Sequence, residues 1–503
     1  MVTVSGSCLG RVSAVGAVLL ILGAVPACER AAPPPPAASP PATSTPTTAP
    51  TPPPPAPHGW DMSAAREFPT VARLVQNAIA AHRLPGAVVQ IGHAGKVVFH
   101  QAFGVRKLAG EPGLDGAPAP AEPMTEDTIF DLASLTKSLA TTTAFLQLYE
   151  QGRVQIDEPV QSYLPEFNPA ADPRRAQVTL RMLLTHTSGI AGDLSLDGPW
   201  GLDSADKADG VRRALAALVV FDPGLFHYSD INFILLGVLI ERLTGETIDV
   251  YVDDNVFTPL GMTDTHYLPP AKACGPHRIT GNALSVDPLA EHVAQCPEGT
   301  WSTDLLGRVA PTARNEDSHD DPARNPDYFH PLRGTVHDPT ARRMGGVTGS
   351  AGVFSTAHDV GRFAQALLDR LAGRPSPFPL RQSTAELMTT PQQPGHTAQQ
   401  LDAAHAATDT RFAPNYPAVG GQNLRGLGWD IDTGQSRPRG VVFPVGSFGH
   451  TGFTGTTVWI DPGSDTYVVV LANVIHQRGG PPIAALSGQV ATAAARELHL
   501  YGR

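Results

Sequence analysis

Runs of residues with strand character lie at both ends of the folded part of the chain. Two β-rich runs, 86–92 and 96–104, flank a Gly-containing connection, a pattern typical of a β-hairpin. Near the other end, three further runs occupy 440–443, 456–460 and 466–471, the last two being separated by a Pro-Gly turn. We expect these strands to form one antiparallel sheet that is built from both chain ends.

Segments with the apolar spacing of a helix lie on both sides of these strands and occupy much of the region between them. Apolar residues recur at three- and four-residue spacing over 67–82, and a terminal helix is predicted over 483–498. Two segments, 261–345 and 391–422, contain long polar stretches without clear periodicity, which is typical of surface insertions. The expected fold class is α/β (α+β), with an antiparallel sheet flanked by helices and an inserted, mostly helical region.

The N-terminal tract has the pattern of an export signal. Arg11 precedes an apolar run, Val12 to Val25, that is too short to span a bilayer comfortably but suits a signal peptide. The run ends in Ala27-Cys28, which resembles a bacterial lipoprotein cleavage site, with 1–28 as the signal and Cys28 lipidated. Ordinary cleavage near Ala27 and an uncleaved anchor remain open alternatives.

A linker separates this signal from the folded part. Residues 29–57 are mostly Pro, Ala, Thr and Ser, a composition that buries little apolar area and favours extended conformations. We therefore expect a disordered tether, followed by one folded domain over 58–503. The expected location is the periplasm or cell envelope, with membrane attachment through a lipidated Cys28.

Charge and composition exclude some classes of partner. The 503 residues carry a formal net charge of −11, and no Lys/Arg run occurs, so we expect no nucleic-acid partner. The chain has 18 histidines, but no His-x-x-x-His pair occurs. We expect no catalytic metal and no cofactor, and we expect the protein to be a monomer.

Two of the four cysteines, Cys274 and Cys296, lie outside the N-terminal tract. In an exported protein an isolated pair of this kind favours a disulfide. The spacing of Cys274 to His277 and of His292 to Cys296 also leaves a small structural zinc site open.

The first candidate for chemistry is Ser134, which is followed by Lys137 and then by a good helical pattern. In a helix, positions i and i+3 share a face, so the two side chains would point to the same side at the helix start. The free amide and the dipole of a helix N-terminus favour developing negative charge. By itself a Ser-x-x-Lys match is more typical of a solvated helix start.

Two further patterns follow in the chain. Tyr228-Ser229-Asp230 leads into an apolar helix, and His450-Thr451-Gly452-Phe453 directly precedes a predicted strand. Ser-x-x-Lys, Tyr-x-Asp and His-Thr-Gly in this order resemble the three motifs of the serine β-lactamase and penicillin-binding family, above all its class C-like and esterase branch. The resemblance extends from about residue 83 to the C-terminus, interrupted by the two polar segments.

The resemblance implies a role for each motif. Ser134 would attack a carbonyl and form an acyl-enzyme, and either Lys137 or Tyr228 would act as the base. The amides of Ser134 and Phe453 would form the oxyanion hole. Gly452 would leave room for a substrate lying along the strand.

Two residues depart from the commonest family pattern. Asp230 stands where Asn is frequent, and an ionised carboxylate accepts hydrogen bonds but cannot donate them. Asn232 is the nearest amide but is expected to face elsewhere. His450 stands where Lys is frequent, and it is expected to be mostly neutral at pH 7. We therefore expect esters or neutral amides to be favoured over substrates with a free carboxylate.

Other chemistry-like patterns have simpler explanations. Ser318-His319-Asp320-Asp321 contains triad residue types in a row, but triad members converge in space, so a polar loop is expected. Ser350 lies in a glycine-rich turn that lacks the first glycine of a nucleophile elbow. His186 is expected to be structural, in a helix end that closes at Gly189.

The sequence therefore predicts an exported serine esterase or amidase that acts on a small-molecule or peptide substrate, including cell-wall derived ones. A D,D-carboxypeptidase, a D-amino-acid peptidase or a β-lactamase of the same fold is the first alternative. A non-catalytic envelope binding protein of the same fold is the second.

Overall fold

A computed structural model describes residues 67–287, 289–290, 293, 295–315, 323, 325–326, 328–407, 415–476 and 483–502. They belong to one compact unit, Asp61–Arg503. The predicted signal peptide 1–28, the lipidation at Cys28 and the tether 29–57 lie outside the described residues, as does the predicted polar loop at 318–321. Within the described part of the chain, no helix is long and apolar enough to cross a membrane.

Seventeen strands are assigned in the described residues. They are β1 Gly86–His93, β2 Lys96–Lys107, β3 Glu122–Pro123, β4 Phe130–Asp131, β5 His266–Tyr267, β6 Ala273–Cys274, β7 His277–Thr280, β8 Ala283–Val286, β9 Trp301–Ser302, β10 Ala313–Arg314, β11 Pro331–Leu332, β12 Val353–Ser355, β13 Leu424–Arg425, β14 Asp430–Asp432, β15 Phe448–Gly452, β16 Thr456–Asp461 and β17 Thr466–Ala472.

The described α-helices are α1 Pro69–Ala80, α2 Thr143–Glu150, α3 Pro173–Ala176, α4 Leu180–Leu184, α5 Lys207–Ala216, α6 Asp230–Thr244, α7 Ile248–Val252, α8 Thr258–Leu260, α9 Pro339–Arg343, α10 Ala357–Leu371, α11 Gln382–Thr389, α12 Ala398–Ala407 and α13 Ala484–Glu497. The helices predicted at the two ends, over 67–82 and 483–498, are confirmed as α1 and α13.

One eight-stranded antiparallel sheet contains strands from both ends of the chain, as predicted. Its order is β13-β14-β15-β16-β17-β1-β2-β3. The N-terminal hairpin β1–β2 joins the C-terminal strands through β17, with Val89 opposite Val470. The fold class predicted from the sequence is therefore confirmed, including the helical region inserted between the two parts of the sheet.

Both faces of the sheet are covered, which explains why its central strands are almost continuously apolar. Val88 and Val469 point into the core shared with α10 and the helical region. Their neighbours Val89 and Val470 point to the opposite face, into the core shared with α1 and α13. Each such fully buried aliphatic side chain contributes about 2 kcal/mol of hydrophobic stabilisation.

The strand predicted at 440–443 is wrong. Gly440 has φ +66° and ends a short 3₁₀ turn, Arg437–Arg439. Its backbone approaches α13 so closely that a Cβ there would lie 2.4 Å from the Thr492 hydroxyl oxygen. Val442 and Phe443 are buried in the core against α13, so their apolar character reflects this packing and not a place in the sheet.

The region around 261–345 consists of short strands around a small core of its own. Leu268, Leu284 and Trp301 are among the buried residues of that core. Cys274 and Cys296 are joined by a disulfide, and β6 and β9 pair in parallel next to it. Strands of two to four residues are too short to show the alternation that sequence reading depends on.

Candidate active site

Ser134 lies at the turn between β4 and the helix that leads into α2. The preceding residue, Ala133, has φ +47°, a left-handed conformation that costs a non-glycine residue about 1 kcal/mol or more. The buried Asp131 carboxylate braces this turn by accepting hydrogen bonds from the amides of Ala133 (2.9 Å) and His337 (2.7 Å). These hydrogen bonds fix the conformation of the turn. Ser134 itself remains partly accessible to solvent.

The helix predicted after Ser134 begins with a π-helical segment, Lys137–Thr142, before it continues as α2. The Thr142 hydroxyl donates to the Lys137 carbonyl at 2.8 Å, which supports the wider turn. π-Helical turns of this kind are frequent at functional sites. The sequence predicts the helix correctly but not its local widening.

Lys137 is fully buried and contacts three groups, one of which is the Ser134 hydroxyl. Its Nζ lies 3.0 Å from the Ser134 Oγ and 2.8 Å from the Ser350 carbonyl oxygen. It also forms an ion pair with Asp230. Burial favours the neutral amine, but the Asp230 carboxylate and the Tyr228 hydroxyl outweigh it and hold the pKa of Lys137 above its usual value. Lys137 is therefore a cation at rest.

The Tyr228 hydroxyl interacts with both Ser134 and Lys137, and both interactions favour its ionised form. Lys137 Nζ lies 5.3 Å from the centroid of the tyrosine ring. Burial raises the pKa of Tyr228, and the Lys137 cation opposes that shift. The three residues that the sequence assigns to catalysis are thus in mutual contact.

Two carboxylates that the sequence analysis missed complete the surroundings of Lys137. Asp193 is hydrogen-bonded to Asp230, and burial together with the Asp230 charge raises the pKa of Asp193 to about 7. Burial and the same charge raise the pKa of Asp338 to about 6. Both residues come from loops with no recognisable motif, so only the fold reveals that three carboxyl groups surround one lysine.

His450 is a neutral acceptor beside this cluster. It is 2% exposed, its ring lies 6.2 Å from that of Tyr228, and its Nδ1 contacts the Thr451 carbonyl oxygen at 2.8 Å. Because a carbonyl only accepts, Nδ1 carries the proton and Nε2 has a free lone pair. Burial, and then the charges of Arg425 and Lys137, hold the pKa of His450 well below its usual value.

The end of β15 is fastened to the backbone before Ser134. The Thr454 hydroxyl donates to the Asp131 carbonyl at 2.6 Å, and the Thr456 hydroxyl donates to the Leu132 carbonyl at 3.0 Å. A Cβ on Gly452 would lie 2.4 Å from the Leu132 carbonyl oxygen. Gly452 is therefore required for this close backbone approach, and the expectation that it also leaves room for substrate stays a prediction.

A cleft of about 1710 Å³ lies beside the predicted site, although Ser134, Lys137 and Tyr228 are not among its lining residues. Asp193 and Asp338 line it near the Lys137 cluster, and Thr451 and Gly452 line it along β15. Phe453 is 73% exposed at its edge, where its ring stacks on that of His337 with centroids 5.7 Å apart. Parts of the 261–345 segment form further walls, as expected for an insertion that shapes a binding site.

The remaining predicted residues lie behind the site. Asn232 is buried and accepts a hydrogen bond from the Ser188 hydroxyl at 2.7 Å. His186 accepts from the Ser229 amide at 3.1 Å, and its ring stacks on Tyr228 at 4.2 Å. It is structural, as predicted, and its ring packs directly on Tyr228.

This arrangement agrees with a family-level comparison. A family model described as Beta-lactamase matches residues 71–487. The chain belongs to the beta-lactamase family. As a member of this family, the protein is an enzyme, a serine hydrolase related to β-lactamases and penicillin-binding proteins.

Curated relatives of this beta-lactamase family member include proteins named as an amidase and as a carboxypeptidase. N-acetylmuramyl-L-alanine amidase of Bacillus subtilis (strain 168) is 28% identical over 421 residues, which cover 82% of this chain and 82% of the relative. An Escherichia coli (strain K12) protein named provisionally as a D-alanyl-D-alanine carboxypeptidase is 28% identical over 399 residues, covering 77% of this chain and 78% of the relative.

A solved structure extends the likeness to the fold. A mutant of simvastatin synthase from Aspergillus terreus superimposes with a TM-score of 0.58 at 22% identity, covering 86% of this chain and 99% of that one. At this identity the comparison supports the β-lactamase-like fold alone.

Proposed function

We propose that the protein is an exported serine acyl hydrolase that acts through an acyl-enzyme on Ser134, with esters and neutral amides as its preferred substrates. The observation that carries the proposal is the convergence of Ser134 Oγ, Lys137 Nζ and the Tyr228 hydroxyl beside the cleft. A nucleophile that contacts a cation and a titratable hydroxyl is equipped for nucleophilic catalysis.

Of the two candidate bases, Tyr228 is favoured. Lys137 is held as a cation by Asp230, so it has no lone pair with which to accept the Ser134 proton. Burial raises the pKa of Tyr228, so its phenolate is the minor form near neutral pH; the Lys137 charge stabilises this form, which can then take the proton of the neighbouring Ser134. Lys137 then acts by electrostatic stabilisation.

The reaction runs in two halves. Ser134 Oγ bonds to the substrate carbonyl carbon while its proton passes to the Tyr228 oxygen, and the amides of Ser134 and Phe453 stabilise the oxyanion. Collapse of the tetrahedral intermediate breaks the bond to the leaving group, and the leaving group takes the proton from Tyr228. Water then attacks the acyl-enzyme and gives a proton to Tyr228, which returns it to Ser134 as the carboxylic acid leaves.

The preference for esters and neutral amides rests on the groups next to Lys137 and on the third motif. His450 is neutral and presents an acceptor, whereas Asp193, Asp230 and Asp338 place carboxyl groups around Lys137. A free substrate carboxylate held at the third motif would meet these acceptors. Arginine side chains, among them Arg437, also line the cleft, so the preference concerns this motif and not the cleft as a whole. The D,D-carboxypeptidase alternative is supported by the name of one curated relative.

Turnover of three substrates by the purified domain tests this proposal. We expect kcat/KM to be highest for a p-nitrophenyl ester and lower for a chromogenic cephalosporin and a D-Ala-D-Ala peptide. The same assays on Ser134→Ala correct for background hydrolysis. Preferred cleavage of the D-Ala-D-Ala peptide would overturn the ester preference in favour of a carboxypeptidase, and no turnover with no covalent labelling would favour a binding protein.

The role of His450 gives a separate prediction. Replacing it with Lys adds a cation, so kcat/KM for the carboxylate-bearing cephalosporin should rise relative to the ester by about tenfold, the value of one charge-assisted hydrogen bond of about 1.5 kcal/mol. His450→Gln, which stays neutral, should leave the ratio unchanged. An unchanged ratio in His450→Lys, or an equal rise in His450→Gln, would contradict this role.

A further inference from the structure

Arg425, on β13, is a buried cation that forms no hydrogen bond through its side chain in the described part of the chain. Its side chain is fully buried, and none of its three guanidinium nitrogens has a hydrogen-bond partner there. The nearest carboxylate oxygen, Asp430 Oδ1, lies 4.0 Å from its Nη1, and Asp430 accepts hydrogen bonds from Thr433 and Ser436 instead. Burying a charge with so little compensation costs several kcal/mol, so its presence requires another explanation.

The guanidinium group lies against the aromatic residues that hold the candidate base. Its carbon is 5.6 Å from the ring centroid of Phe226, two residues before Tyr228. Phe226 meets the ring of His186 edge-on at 6.5 Å, and His186 stacks on Tyr228 at 4.2 Å. Arg425 is therefore part of the packed layer behind Tyr228, out of contact with solvent.

The other charged groups near Tyr228 do not by themselves provide an unpaired positive charge beside its hydroxyl. Lys137 is the adjacent positive charge, but Asp230 pairs with it, and Asp193 is hydrogen-bonded to the same carboxylate. The imidazoles packed near the tyrosine are neutral, because burial and the Arg425 charge hold the pKa values of His186 and His450 well below the usual range. Arg425 interacts electrostatically with Tyr228 as well.

We propose that Arg425 is a positioning residue for the reaction, which stabilises the Tyr228 phenolate from behind and keeps His450 and His186 as neutral acceptors. A charge at this place acts through a dry, low-dielectric layer, where its effect is larger than it would be in water. The inference rests on the proposed function, since it requires Tyr228 to be the base.

The test compares Arg425→Met with Arg425→Lys by the pH dependence of kcat/KM on a p-nitrophenyl ester. The Met variant removes the charge at similar side-chain volume and thereby destabilises the Tyr228 phenolate. The rising limb of the profile should therefore move to higher pH by about one unit. At a fixed pH on that limb, kcat/KM should fall about tenfold. Arg425→Lys keeps the charge and should leave the limb within about a third of a unit of wild type.

A purely structural role would give a different result. It would lower kcat/KM by the same factor at every pH and leave the position of the limb unchanged, which would overturn the inference. Replacing a poorly paired buried charge with an apolar residue is commonly neutral or stabilising, so the Met variant should fold. If the Met variant does not fold, the Lys variant, whose charge is retained, tests the inference by itself. A shift in the pH of its rising limb would overturn the inference, and an unshifted limb would support it.

Tyr228→Phe separates failure of this inference from failure of the proposed function. If Tyr228→Phe keeps the wild-type rate and profile, Tyr228 is not the base and both proposals fall. If Tyr228→Phe loses activity while Arg425→Met keeps the wild-type limb, only the role of Arg425 is wrong.

Discussion

Replacement of Ser134 by Ala is expected to lower kcat/KM by about 10⁴-fold or more, because it removes the only atom that forms the acyl-enzyme bond in the proposed reaction. The change deletes one oxygen from a partly accessible residue. The melting temperature should therefore stay within a few degrees of wild type. The measurement is initial-rate hydrolysis of a p-nitrophenyl ester, together with a thermal melt of the same sample.

Ser138→Ala is the matched control, four residues after Ser134 and in the π-helical segment that follows it. The Ser138 hydroxyl donates to the Gly428 carbonyl at 2.6 Å and is buried, so its loss should cost about 1–3 kcal/mol of stability. Its rate at a temperature where it is folded should stay near wild type. If Ser134→Ala retained more than a few per cent of the wild-type kcat/KM, Ser134 could not be the nucleophile.

Replacement of Lys137 by Met is expected to cost both activity and stability. The variant loses the donor 3.0 Å from Ser134 Oγ and the charge that supports the Tyr228 phenolate, so kcat/KM should fall by about 10³-fold or more. It also leaves the Asp230 carboxylate without its cation in a largely buried place, which should lower the free energy of unfolding by about 3–5 kcal/mol. Urea unfolding and ester hydrolysis measure the two effects.

The double variant Lys137→Met with Asp230→Asn separates the two effects. It removes both charges of the pair, so most of the stability should return while the activity stays low. Recovery of activity in the double variant would show that the single change acts by disturbing the fold. Retention of full activity by Lys137→Met would show that Lys137 has no part in the chemistry.

Much of the fold could be predicted from the sequence, and so could Ser134, Lys137 and Tyr228 of the site, because both depend on local patterns. The hairpin β1–β2 and the strands β16–β17 follow from alternation and turn residues. Ser134 and Lys137 follow from their spacing at a helix start, and Tyr228 and His450 from their position before regular elements. The resemblance to a family supplied the order in which these pieces combine.

What could not be predicted depends on residues that only the fold brings together. Asp193, Asp338 and Arg425 lie in no recognisable motif, yet they set the charge around Lys137 and Tyr228. The apolar residues Val442 and Phe443 looked like a strand because burial against α13 selects the same residue types as burial in a sheet. The purpose of Gly452 became visible only from its distance to the Leu132 carbonyl.

Covalent labelling of the wild-type protein with a fluorophosphonate tests the central claim most directly. After digestion, peptide mass spectrometry should find one phosphonyl group on the peptide that contains Ser134, and labelling should be lost in Ser134→Ala while it persists in Ser138→Ala. Labelling of another residue, such as Ser350, or no labelling of a folded wild-type protein would contradict the account of Ser134 as the nucleophile of this hydrolase.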